Sequence, residues 1–223
     1  MKFTEMRADD VGAVEAAAAH LARGGLLAHP TSSVYGIGGA PDAELEREVA
    51  RLKGRPRGPG LVYLVAEADD VLRAWPEAAW PASASRLAAS FWPGPLTLVL
   101  DGGSGHGIAV RVEPHEFTRS VVRRSGAPLS STSLNPTGEP PAADPGAARA
   151  ALEALPESEL AVLLVDAGPL PGPPPSTLVR VPGRGGEAFD VLREGAVDAR
   201  RIGEALVADI GERSRRAGRG DEA

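Results

Sequence analysis

The sequence predicts an α/β fold: a mixed sheet flanked by helices. Two observations carry this. Residues 26–66 read strand, loop, helix, loop, strand, and the second strand is the nearly continuous apolar run LVYLVA at 61–66. A second such run, AVLLVDAG at 161–168, follows a helical segment at 144–155. Neither repeats nor a clear linker interrupt the pattern, so one domain is expected over 1–211, with a disordered Arg- and Gly-rich tail at 212–223.

The elements follow in order. Residues 9–23 are rich in Ala, Glu and Leu and predict a helix, capped by Asp9 or Asp10 and ended by Gly24-Gly25. His20 is expected on its surface. LLAH at 26–29 is a short buried strand closed by Pro30, with His29 at its end. HPTSSVYGIGG at 29–39 reads as a polar loop. Residues 42–53 form a helix with Asp42 as N-cap and with Leu45, Val49 and Leu52 on one face. Lys53 and Arg55 end it, before a loop stiffened by Pro56 and Pro59.

Beyond the LVYLVA strand, residues 69–75 and 83–91 predict helices, TLVL at 97–100 a strand, and DGGSGHG at 101–107 a turn. IAVRV at 108–112 alternates as a strand does and sets Arg111 among apolar neighbours. Trp92 is read as packing. Residues 116–124 predict a helix with a solvated Arg119, Arg123 and Arg124 face. APLSSTSLNPTGEP at 127–140 reads either as a plain polar loop or as a hydroxyl-rich wall of a site. A proline-rich turn at 168–175 precedes strands starting at Ser176 and at Phe189, then a last helix at 198–210.

Composition excludes several classes. The formal charge of −6 argues against non-specific nucleic-acid binding. Without cysteine there is no disulfide, thiol catalysis or cysteine zinc site. No signal peptide or membrane span is legible, which places the protein in the cytoplasm. Signatures of metalloproteases, serine hydrolases and P-loop enzymes are missing. What remains is Lys53 with Arg55, hydroxyl-rich loops and arginines at strand ends. Arginine forks onto phosphate or carboxylate, and lysine is a mobile point charge. That combination suits nucleotidyl chemistry run by positioning and charge neutralisation.

These motifs resemble, in order and spacing, the threonylcarbamoyl-AMP synthase family of YrdC/Sua5-type domains, over residues 10–200. The resemblance rests on PTxxxYGxG at 30–38, KGRP at 53–56, FWPGPLT at 91–97, AVRV with His115, STSxN with TGEP at 131–140, PST at 175–177 and RxG at 193–195. It implies a YrdC-like twisted mixed sheet around an open, positively charged cavity. The implied reaction joins L-threonine, bicarbonate or CO2, and ATP into L-threonylcarbamoyladenylate and pyrophosphate. Other proteins, the t6A transferase machinery, then pass the group to adenosine 37 of tRNA. The resemblance implies that Lys53 and Arg55 grip the ATP phosphates with Mg2+. It also implies that Ser133, Asn135, Ser176 and Arg193 face the nucleotide, that Ser131 contacts substrate or nucleotide, that Thr31 and Ser33 line the threonine pocket, and that Arg111 lies near the threonine carboxylate.

This chain departs from the family pattern at four places. Ser32 stands where the family usually has an acid, Ser33 replaces a threonine, His29 replaces a tyrosine and Leu134 replaces an alanine. The alternative reading is an RNA- or nucleotide-binding YrdC-like protein without threonine-specific synthase activity.

Overall fold

The computed structural model describes residues 1–54, 60–103, 107–172, 174–181 and 189–207. Among these, ten strands form one mixed sheet. In chain order they are β1 (Thr4–Arg7), β2 (Leu26–Pro30), β3 (Tyr35–Gly38), β4 (Val62–Val65), β5 (Leu96–Asp101), β6 (Gly107–Val112), β7 (Leu129–Ser133), β8 (Val162–Asp166), β9 (Thr177–Arg180) and β10 (Asp190–Arg193). Across the sheet they run β1-β8-β2-β3-β7-β4-β6-β5-β9-β10. The helices are α1 (Ala13–Ala22), α2 (Ala43–Leu52), α3 (Asp70–Ala74), α4 (Ala82–Phe91), α5 (Glu116–Ser125) and α6 (Pro145–Ala154), and the chain is again helical over 199–207.

Successive strand side chains point to opposite faces, and the helices divide accordingly. Leu26, Ala28, Ile37 and Leu164 pack on one face with Leu45, Val49 and Leu52 of α2 and Leu152 of α6. Leu27, Leu163 and Val165, one step away on the same strands, pack on the other face with Ala17 and Leu21 of α1 and Val121 and Val122 of α5. A third cluster joins Leu98, Val110 and Val179 to Leu87 of α4 and Ile202 of the last helix.

The expected helices at 42–53 and 144–155 are present. Asp42 caps the first by accepting from the Glu44 and Leu45 amides, and Asp144 caps the second through the Ala147 amide. The helix expected from residue 9 begins later. Its N-cap is Gly12, and Asp10 and Asp9 are turned to the backbone and guanidinium of Arg7 instead. His20 is not on the surface. It is buried, with Nε2 on the Leu26 carbonyl at 2.9 Å. Gly25 makes that room, since a Cβ there would lie 2.2 Å from the ring.

Two expected loops are strands at the centre of the sheet. Residues 35–38 and 129–133 form β3 and β7, paired antiparallel as Gly36↔Ser133 and Ile37↔Thr132. The glycines are there because backbones press together: a Cβ on Gly38 would lie 1.7 Å from the Ser130 carbonyl oxygen. The edge strand β1, parallel to β8, carries no apolar run that announces it. The tail at 212–223 lies outside the described residues, as do 208–210 of the expected last helix.

Candidate active site

Lys53, the C-cap of α2, is buried at 2% exposure. Its Nζ donates to the Ser133 carbonyl at 2.8 Å, to Asn135 Oδ1 at 2.7 Å and to the Asn135 carbonyl. Ser133 Oγ also donates to Asn135 Oδ1, at 2.8 Å, and Asn135 Nδ2 donates to the Glu139 carbonyl. Thr137 Oγ1 closes the loop onto the Lys53 carbonyl. The end of a helix and the end of a central strand are thus locked together by one ammonium. Lys53 is one of two lysines in the chain, the other being Lys2, in a sequence whose cations are otherwise arginine. Arg55, its expected partner, lies outside the described residues.

The β2–β3 turn forms a second group. Thr31 Oγ1 donates to the Val34 carbonyl at 2.6 Å and accepts from the Ser33 and Val34 amides, so this hydroxyl shapes the turn. The Ser33 carbonyl accepts from the Gly172 amide at 2.8 Å, and Tyr35 Oη donates to the Gly168 carbonyl at 2.8 Å. Both bonds dock the proline-rich turn against the serine-containing one. Burial pushes the Tyr35 hydroxyl pKa up.

Arg111 on β6 is buried, as expected for its place among apolar neighbours, and is ion-paired with the wholly buried Glu113. Glu113 also accepts from the Ser32 amide at 2.7 Å and the His115 amide at 3.1 Å. Arg193, at the end of β10, donates to the Ser176 carbonyl at 2.9 Å and to Ser176 Oγ at 3.3 Å. Ser176 Oγ in turn meets Thr97 Oγ1 at 2.8 Å. Partial burial, and to a lesser degree the charge of Arg111, push the Arg193 pKa down.

Ser131 turns to His29, Oγ to Nε2, at 3.1 Å. Burial holds His29 neutral, with its pKa pushed down to about 4. The residues brought together are therefore Lys53 with Ser133 and Asn135, Thr31 with Ser33, and Arg193 with Ser176. Glu113 was not anticipated beside these residues; His29 was read as a strand end next to the polar loop, and Tyr35 as part of the PTxxxYGxG motif. Concave spaces of about 470 and 570 Å3 open elsewhere, beside α4 and α5 and beside α3, and are lined by none of these groups.

A family model described as "Telomere recombination", the Sua5/YciO/YrdC model, matches residues 19–195. The chain belongs to the Sua5/YciO/YrdC family. A threonylcarbamoyl-AMP synthase of Xanthomonas campestris pv. campestris is 39% identical over 142 residues, covering 58% of this chain and 74% of the relative. The Chromohalobacter salexigens protein of that name is 41% identical over 146 residues, covering 60% and 77%. Among solved structures, P. abyssi Sua5 complexed with L-threonine aligns with a TM-score of 0.75 at 25% identity. That alignment covers 93% of this family member but 61% of the P. abyssi chain, so this chain spans about three fifths of that protein. E. coli YciO shares the fold, with a TM-score of 0.73 at 22% identity, covering 90% of this chain and 98% of its own. The twisted mixed sheet flanked by helices is the fold of these neighbours.

Among the described residues, no group of three His, Asp or Glu side chains is arranged to hold a metal ion. No helix among them is long and apolar enough to cross a membrane.

Proposed function

We propose that this chain is an L-threonylcarbamoyladenylate synthase. It joins L-threonine, bicarbonate or CO2, and ATP, and releases pyrophosphate. The threonine amine takes up CO2 as a carbamate, giving up a proton. A carbamate oxygen then attacks the α-phosphorus of ATP and pyrophosphate leaves. Such a sequence needs alignment and charge neutralisation more than a protein nucleophile.

The observation that carries the reading is the buried Lys53 ammonium held between Ser133 and Asn135, in a chain 39% identical over 142 residues to a named synthase. Arg55 takes the triphosphate, with the Lys53 charge acting on it through space while its donors are engaged by Ser133 and Asn135, and Ser133 and Asn135 set the lysine and meet the nucleotide. Ser176 and Arg193 face the nucleotide from β9 and β10. Thr31 and Ser33 line the amino-acid side, Arg111 takes its carboxylate, and Ser131 with His29 supports the strand between the two sides. The P. abyssi relative, solved with L-threonine, supports that choice of amino acid. When bound, Mg2+ would be held by the ATP phosphates and water, the usual mode for this hard, water-retaining ion. Residues 1–211 act as one cytoplasmic module, and the product goes to the transferase machinery that modifies tRNA adenosine 37.

Pyrophosphate release, measured with each substrate withheld in turn, tests the proposal. Release that requires L-threonine, bicarbonate and ATP together supports it. Turnover indifferent to threonine favours a nucleotide-binding role without synthase activity.

A further inference from the structure

Glu113 has no part in the roles given above, yet it is the most connected charge near the β2–β3 turn. Its side chain is fully buried. Oε1 accepts from the Ser32 and His115 amides, and Oε2 accepts from the Arg111 guanidinium. A carboxylate taken out of water persists only when opposite charge and hydrogen bonds replace its hydration, and these three donors do so. They come from three segments: the turn after β2, the end of β6 and the residue before α5. The turn carries no acid of its own, having Ser32 and Ser33 after Thr31. The carboxylate that binds its backbone arrives from the neighbouring segment instead.

Arg111 is fixed by the same contact. One terminal nitrogen is engaged by Glu113, while its Nε is buried without a hydrogen-bond partner among the described residues. A buried donor left unsatisfied is costly unless an incoming group supplies the acceptor. That Nε, on a buried and clamped guanidinium, is a donor still lacking an acceptor among the described residues.

We infer that Glu113 is a positioning residue for the amino-acid substrate: it sets the 31–34 turn and clamps Arg111 so that Nε remains for the substrate carboxylate. This rests on the reading of Thr31, Ser33 and Arg111 as the amino-acid side of the site. It adds Glu113 as the residue that makes that side from a turn with no acid.

Two variants test it in the full chain, Glu113→Gln and Glu113→Asp, each checked for a cooperative thermal transition. Glu113→Gln keeps the shape and removes the charge. The KM for L-threonine is expected to rise by about tenfold or more, with the KM for ATP held within about twofold. Amide exchange over 31–34 is expected to quicken, and Glu113→Asp, which keeps the charge, to fall between wild type and Gln. An unchanged threonine KM, or equal rises for threonine and ATP, overturns the inference. So does unchanged exchange at Ser32 in both variants. If Glu113→Gln does not fold, the Asp variant carries the test through its shorter reach: a threonine KM and Ser32 exchange both at wild-type values overturn the inference. If the wild-type protein shows no threonine-dependent turnover, the synthase reading fails, and the exchange measurement still decides whether Glu113 positions the turn.

Discussion

His29 Nε2 and Ser131 Oγ lie 3.1 Å apart, joined over the bare backbone of Gly36. His29 pairs with Gly36 in the β2–β3 ladder, and Gly36 pairs with Ser133 in the β3–β7 ladder. A Cβ on Gly36 would stand 2.8 Å from Ser131 Oγ and 3.0 Å from the His29 ring. The glycine is therefore the space through which two central strands share a polar contact, one step from the Lys53 cluster.

Substituting the strand glycines should rank by how hard their neighbours are. Gly36→Ala meets the ends of side chains and should destabilise by about 1–3 kcal/mol. Gly38→Ala meets the Ser130 carbonyl, which cannot rotate away, and should exceed ~3 kcal/mol. Urea denaturation of both variants checks the order, and equal costs would contradict this packing.

The buried histidine gives the fold a pH dependence of definite sign. His29 has a pKa pushed down to about 4, against an ordinary value of 6.5. Unfolding lets it take up a proton, so its contribution is intact above pH 6.5 and is lost progressively as pH falls towards 4. A shift of that size corresponds to roughly 3 kcal/mol. Burial lowers His115 in the same direction. Denaturation midpoints should fall between pH 6.5 and 4, and His29→Asn should flatten that fall. A variant with the wild-type slope would show that His29 is not the group responsible.

The helices at 42–53 and 144–155 were legible in the sequence because their caps and apolar spacing are local properties. The strands at 62–65 and 162–166 were legible as apolar runs. The strands at 35–38 and 129–133 were not. Their glycines and hydroxyls carry a loop's composition, and only the neighbouring strands make them strands. His20 was misplaced because its burial depends on the absent side chain of Gly25. Within the site, Lys53, Ser133 and Asn135 were foreseen and do meet. Glu113 was not, because a carboxylate two residues after an arginine looks like an exposed strand end until the Ser32 turn folds onto it.

Removing the Lys53 ammonium should affect stability and turnover separately. Lys53→Met keeps the apolar stem but leaves the three Ser133 and Asn135 acceptors without that donor. A loss of about 1–3 kcal/mol is expected, with synthase activity down roughly 100-fold or more. Lys53→Arg should not restore activity, since a planar guanidinium cannot replace a compact ammonium among three converging acceptors. Calorimetry and steady-state turnover on the same preparations check this, and an active, fully stable Met variant would exclude the phosphate role.

Arg193 offers the complementary case. Its side chain reaches Ser176 from an edge strand, so Arg193→Ala should cost only ~1 kcal/mol of stability. It should raise the KM for ATP about tenfold while leaving that for L-threonine within about twofold. The reverse pattern would move Arg193 to the amino-acid side.

The product itself is the most direct test. Wild-type protein incubated with ATP, L-threonine and 13C-labelled bicarbonate should form an adenylate whose mass includes one threonine and one labelled carbon, in step with pyrophosphate. ATP consumption that yields no labelled, threonine-containing adenylate would contradict the account.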